Sequence, residues 1–97
     1  MKNPKSFEWD KGNSGKNWQK HKVSDQECEE VFFDWKFKVF YDATHSKIED
    51  RYYGLGKTWS NRRLFVVFTV RNEKIRVISA RPMDRQERSE YEKDTQV

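Results

Sequence analysis

Seven arginines and one lysine lie between Arg62 and Arg88, against three acids, Glu73, Asp84 and Glu87. Arginine is the side chain to weigh for phosphate chemistry, because its planar fork grips two phosphate oxygens at once. Arg81 comes first as an anion clamp. It closes an apolar run, and Pro82 behind it suits the first turn of a helix. A helix start offers free backbone N–H groups and the positive end of a dipole, both of which favour an anion. The competing reading of Arg81 is a salt bridge to Glu87 or to an acidic helix. Arg63 and Arg71 bracket an apolar strand, and one or both can open onto the face that carries Arg81; ordinary strand-end charge is the alternative for each.

Proton transfer needs a different set of side chains. Glu49 and Arg51 point the same way if the chain is extended, and so offer a base beside a clamp or a plain surface ion pair. Lys20 and His21 close a short helix; an imidazole can move a proton near neutral pH, although a histidine there more often caps carbonyls. His45 sits in a polar loop and reads as exposed. The two histidines have no short metal-ligand spacing, so zinc is not expected. Arg85 and Arg88 share a helical face, either tracking a phosphate backbone or simply solvated. Tyr52, Tyr53 and Trp59 can stack on unpaired bases, but aromatics on a small sheet usually pack, and at least two of the three are expected to do so.

These residues need elements to hold them. Phe7–Asp10 alternates apolar and acidic like a short strand, and Gly12–Gly15 reads as a turn. Lys16–His21 is predicted as a short helix. Ser24 and Glu27 have the spacing of a capping box, followed by Cys28, Val31, Phe32 and Trp35 at the spacing of one helical stripe. The five acids between Ser24 and Asp34, with no base among them, are predicted to face outward. Residues 35–41 fit an edge strand or an extended loop. Three strands follow, Arg51–Trp59, Arg63–Arg71 and Lys74–Ala80, with the middle one central because it is apolar on both faces. A last helix runs from Pro82 to about Lys93, and Thr95–Val97 is expected to fray.

The chain has 97 residues, enough for one domain spanning residues 1–97 and one small core. Lysine and arginine number 20 against 16 aspartates and glutamates, a surplus that permits a polyanionic partner without requiring one. Cys28 stands alone, which excludes an internal disulfide and fits a reducing cytoplasm. No apolar run is long enough to span a membrane, and the N-terminus lacks the apolar core of a signal peptide.

Six ordered pieces of the sequence resemble the BrnT family of toxins from bacterial type II toxin–antitoxin systems. They are FEWD (Phe7–Asp10), NWQKHKVS (Asn17–Ser24), VFFD (Val31–Asp34), DATHSKIEDRYYGLG (Asp42–Gly56), RRLFVVFTVR (Arg62–Arg71) and ISARPMDRQERSEYE (Ile78–Glu92). The chain departs from the family at Lys22, where glycine is usual, and at Cys28, where a small residue is usual; neither change removes a chemical group. The resemblance implies an α+β fold similar to RelE-like ribonucleases: strand, two helices, a three-stranded antiparallel meander and a helix. It also implies a metal-independent endoribonuclease that needs no cofactor and arrests growth. The implied partner is a BrnA-like ribbon-helix-helix antitoxin, with operator DNA bound only through that antitoxin.

Cleaving RNA without a metal requires that the 2′-OH lose a proton, that the phosphate charge be neutralised and that the leaving 5′-oxygen gain a proton. On that reading Arg81 and Arg63 hold the phosphate, Arg51 assists, Glu49 or His21 moves protons, and Lys20, Arg71, Arg85 and Arg88 contact the rest of the RNA. Two other readings stay open. The arginine strip can serve a non-catalytic nucleic-acid-binding module, or the acidic helix can serve a protein-interaction module.

Overall fold

A computed structural model describes residues 6–93. Its elements are β1 (Ser6–Phe7), α1 (Lys16–His21), α2 (Asp25–Val31), β2 (Lys38–Tyr41), a 3-10 turn (Ala43–His45), β3 (Tyr52–Lys57), β4 (Arg63–Arg71), β5 (Lys74–Pro82) and α3 (Arg85–Glu92). The strands form one sheet in the order β1-β5-β4-β3-β2. Strands β2 to β5 make an antiparallel meander, and β1 joins β5 in parallel. The architecture is α+β; of the two readings of residues 35–41 the edge strand is the one found, as β2, which makes the meander four-stranded, and the short strand expected at Phe7–Asp10 lies at Ser6–Phe7. Residues 94–97, and with them the expected fraying of Thr95–Val97, lie outside the described residues.

Strand β4 is central because both its faces are covered. Leu64, Val66 and Phe68 are fully buried on one face, beneath Val23, Cys28 and Val31 of the α1–α2 layer. On the other face Phe65 packs with Leu55, Met83 and Tyr91, which bring α3 over the sheet. Helices therefore lie on both faces. Strand β1 is too short to cover the edge of β5, so two side-chain amides complete it: Asn13 Nδ2 donates to Val77 O (3.1 Å), and Asn17 Oδ1 accepts from Ala80 N (2.9 Å). Both asparagines are buried, and these bonds satisfy backbone groups that would otherwise be stranded.

The predicted capping box of α2 is present: Ser24 Oγ accepts from Glu27 N and Glu27 Oε1 accepts from Ser24 N, each at 3.0 Å. The rest of that stripe differs from expectation. Helix α2 stops at Val31, and Trp35 is 84% exposed instead of following Cys28 and Val31 into the core. The chain must turn there so that Phe37 can lie against β3, where an added Cβ on Gly54 would meet the Phe37 ring at 2.3 Å. The acids do not simply face outward either. Glu27 binds Arg62, Glu29 accepts from the Trp9 indole, and the buried Glu30 accepts from Trp59 N. Asp34 Oδ2 accepts from Lys57 N (2.9 Å) and from the Tyr91 hydroxyl (2.5 Å), tying α3 to the end of β3. Burial first, and then the hydrogen bond to the Asp34 carboxylate, push the Tyr91 phenol above its ordinary range.

Candidate functional site

The chain between β2 and β3 folds into a loop that closes on itself. Asp42 N donates to Arg51 O (2.9 Å), and Ser46 Oγ donates to Asp42 O (2.6 Å) and accepts from Arg51 N (2.9 Å). Thr69 Oγ1 donates to Asp50 O (2.7 Å), pinning the loop to β4. Inside the loop Asp42 caps the 3-10 turn and its Oδ2 lies 2.8 Å from His45 Nδ1. With a carboxylate as partner, Nδ1 carries the proton and Nε2 is left free. That hydrogen bond holds the Asp42 carboxyl below its usual range.

Glu49 sits on the same loop and is gripped by Arg71 from β4, with Nε to Oε2 at 2.9 Å and Nη2 to Oε1 at 2.8 Å. The guanidinium lowers the Glu49 carboxyl and raises Arg71, so both are ionised at neutral pH. The sequence pairing of Glu49 with Arg51 is thus replaced by a bidentate pair with Arg71. Arg51 nevertheless reaches the same place. An open cavity of 420 Å³ is lined by Thr44, His45, Lys47, Ile48, Glu49 and Arg51. Among the described residues neither Lys47 nor Arg51 has a carboxylate partner. The cavity thus collects an ionised carboxylate, an oriented imidazole and two unpaired cations.

Arg63 and Arg81 do come together, but in another region. Phe65 of β4 stands opposite Arg81 of β5, so Arg63, Phe65 and Arg81 project from one face of the sheet. The Arg81 guanidinium lies over the Phe65 ring, 4.2 Å from its centre. Both of its terminal nitrogens are 2.8 Å from Glu87 oxygens, and this pair raises its pKa further. Arg63 Nε donates to Glu92 Oε2 at 2.9 Å, which holds the Glu92 carboxyl below its usual range. Helix α3 thus supplies one carboxylate to each arginine.

The expectation that Arg81 stands at a helix start is corrected. Pro82 ends β5 instead of opening the helix, and Arg81 lies within the strand. The helix is capped by Asp84, whose carboxylate accepts from Glu87 N at 2.8 Å. The positive start of α3 therefore already holds a carboxylate. The antiparallel pairing with Met83, through its N–H to Arg63 O (3.1 Å), carries the strand past the proline.

The remaining candidates are dispersed. Arg71 shares a face with Arg63 but lies eight positions along β4, roughly 26 Å at strand spacing, so the two cannot hold one phosphate. Lys20 and His21 are exposed at the end of α1, in the helix layer on the far side of the sheet from Arg81, where His21 O accepts from Arg62 Nη2 (3.1 Å). Arg85 and Arg88 are exposed on α3. Tyr52 stacks on Phe68, Tyr53 stacks on Phe40, and Trp59 is 73% exposed, so two of the three aromatics pack as expected. Sequence reasoning missed the Asp42–His45 pair and Lys47. The DATH spacing was the available signal, since an aspartate three residues before a histidine can cap a turn and reach its ring.

The profile of a ribonuclease toxin family, BrnT, of type II toxin–antitoxin systems matches residues 9–87. That span contains the loop cavity and both arginines beneath α3, and omits β1 and residues 88–92 of α3. A comparison with curated proteins finds no match. Among the described residues no helix is long and apolar enough to cross a membrane. Most of the length is covered by one family profile, and the chain belongs to the BrnT family of ribonuclease toxins of type II toxin–antitoxin systems.

Proposed function

We propose that this toxin is a metal-independent endoribonuclease whose chemistry takes place in the loop cavity between β2 and β3. The observation that carries the reading is the convergence there of Glu49, His45, Lys47 and Arg51, with both cations unpaired among the described residues. Arg51 and Lys47 hold the scissile phosphate and neutralise the charge that builds on its oxygens. Glu49, kept ionised by Arg71, takes the 2′-OH proton, at some cost in basicity. The 2′-oxygen forms its bond to phosphorus as the bond from phosphorus to the 5′-oxygen breaks. His45, when its ring is doubly protonated with Asp42 holding Nδ1–H, delivers the Nε2 proton to that oxygen and is left as the neutral imidazole. The products are a 2′,3′-cyclic phosphate and a 5′-hydroxyl end.

Arg85, Arg88 and Lys20, all exposed, add sequence-independent contacts to the RNA backbone. The fold belongs with RelE-like ribonucleases. The protein acts in the cytoplasm and arrests growth until a BrnA-like ribbon-helix-helix antitoxin binds it; operator DNA is reached only through that antitoxin. The purified chain, free of antitoxin and in excess EDTA, is expected to cut RNA and leave cyclic phosphate ends. Intact RNA after incubation with folded protein would overturn the proposal, and products ending in 5′-phosphate would overturn the mechanism.

A further inference from the structure

A second cavity, also 420 Å³, runs between α3 and the sheet. Its floor is a cross-strand row of rings. Phe40 and Tyr53 stack with centres 5.0 Å apart, and Tyr53 and Phe65 follow at 5.5 Å. Its rim is mostly acidic: Asp42, Asp84, Glu87 and Glu90 line it, with Arg81 on Glu87 at one end and Lys38 Nζ on the Glu90 carbonyl. Glu87 is committed to Arg81. Asp84 spends one oxygen on its helix cap, and the Glu90 carboxylate has Lys93 at 3.6 Å, while the Glu90 carbonyl accepts from Lys38 Nζ at 2.6 Å. A polyanion approaching this groove meets carboxylates on each side, so RNA is the wrong occupant.

The chain itself displays what the groove accepts. Arg81 closes one end of the ring row, with its guanidinium over Phe65 and its fork on a carboxylate of α3. The same combination of aromatic floor and acidic rim continues past it, over Tyr53 and Phe40 toward Asp84 and Glu90, with no side chain of the described residues filling it. We infer that this groove docks a basic, apolar segment of the protein antitoxin, with aliphatic stems against the rings and charged heads on Asp84 and Glu90. The inference rests on the family reading for the existence of that partner, and on the groove alone for its chemistry. The acidic helix α2, the other negative stretch of the chain, is not such a surface, because its Glu27, Glu29 and Glu30, and Asp34 just beyond it, are bonded within the fold.

The test is an NMR titration of the full chain with three probes: the peptide acetyl-Leu-Arg-Leu-Arg-amide, the same peptide with glutamate for arginine, and hexauridylate. The basic peptide is expected to shift the amide resonances of Tyr53, Phe65 and Glu90, and the acidic peptide to leave them in place. Glu90→Lys, a change at a solvent-facing position, is expected to weaken the basic peptide at least about fivefold, and Glu90→Gln less, with RNA cleavage unchanged in both. Equal binding of both peptides, hexauridylate shifting these same resonances, or unaltered affinity in Glu90→Lys would each overturn the assignment. A wild-type chain that binds the basic peptide but leaves RNA intact would remove the enzymatic reading and leave this one standing.

Discussion

Replacing Arg51 and Arg81 separately by alanine distinguishes the two places where arginine could serve catalysis. Arg51 has no carboxylate partner among the described residues and lines the loop cavity. Removing a side chain with no folded-state partner should change stability by no more than about 0.5 kcal/mol. Removing a group that stabilises developing charge in a transition state costs roughly 2.7–4 kcal/mol, a hundredfold or more in rate. Arg81 has the opposite profile. Its loss breaks a bidentate pair with Glu87, whose side chains are 36% and 18% exposed, and vacates the Phe65 ring. An exposed ion pair contributes about 0.2–1 kcal/mol and a cation over a ring about 0.5–1 kcal/mol. The total, about 1–2 kcal/mol, should lower the melting temperature by roughly 5–15 °C in a domain of this size. The assay is single-turnover cleavage of a fluorophore-quencher RNA in EDTA, run well below the melting point of each variant, beside a thermal melt. Arg51→Ala is expected to melt normally and cut poorly, and Arg81→Ala to melt early and cut well. If Arg51→Ala cuts at the wild-type rate while folded Arg81→Ala is inactive, the chemistry lies beneath α3 and the loop assignment is wrong.

Other consequences concern the scaffold. An added Cβ on Gly56 would meet Val31 Cβ at 2.8 Å and the Val31 carbonyl at 2.9 Å, so Gly56→Ala is expected to cost about 1–3 kcal/mol, seen as a lower urea midpoint at constant slope. The β4–β5 turn holds Asn72 at φ 50° and Glu73 at φ 63°. Glycine suits the second of these positions, so Glu73→Gly should gain about 0.5–1 kcal/mol, read as a rise in melting temperature. Asp10, Glu49 and Glu92 all have carboxyls lowered by arginine partners. Their contribution to stability is complete above the ordinary carboxylate range near pH 4 and is lost as pH falls through their lower folded values. The denaturation midpoint should therefore stay level from neutrality to about pH 5 and decline below about pH 4, less steeply in Glu49→Gln; a decline already under way at pH 7 would contradict the pairing.

The elements most legible in the sequence were those set by local chemistry. Strand β4 lay at Arg63–Arg71 because nine residues apolar on both faces allow little else, and the α2 start was fixed by Ser24 and Glu27 three residues apart. What local pattern could not supply was the demand of distant partners. Val31 ends α2 because Phe37 must reach the Gly54–Gly56 face of β3, and that requirement is invisible in the stripe from Cys28 to Trp35. Pro82 is tolerated in a strand because β5 lacks a neighbour on its outer side at that point. With the strand extended through it, the helix start moved to Asp84 and took the anion-binding geometry away from Arg81.

The candidate site shows the same limit in electrostatic form. Counting arginines from Arg62 to Arg88 gives the impression of one basic face, but Arg62, Arg63, Arg71, Arg76 and Arg81 each grip a carboxylate from elsewhere in the fold. A guanidinium already paired must give up its partner before it can take a phosphate, and the exchange returns only the difference between two similar interactions. An unpaired cation binds the incoming phosphate without that exchange. The polar stretch from Asp42 to Arg51 looked the least structured in the sequence. It places Lys47 and Arg51 in an open cavity without carboxylate partners among the described residues, while Arg71 reaches in to fix the one carboxylate beside them. Five arginines hold the fold in shape, and the shape they hold leaves Lys47 and Arg51 free to meet a substrate.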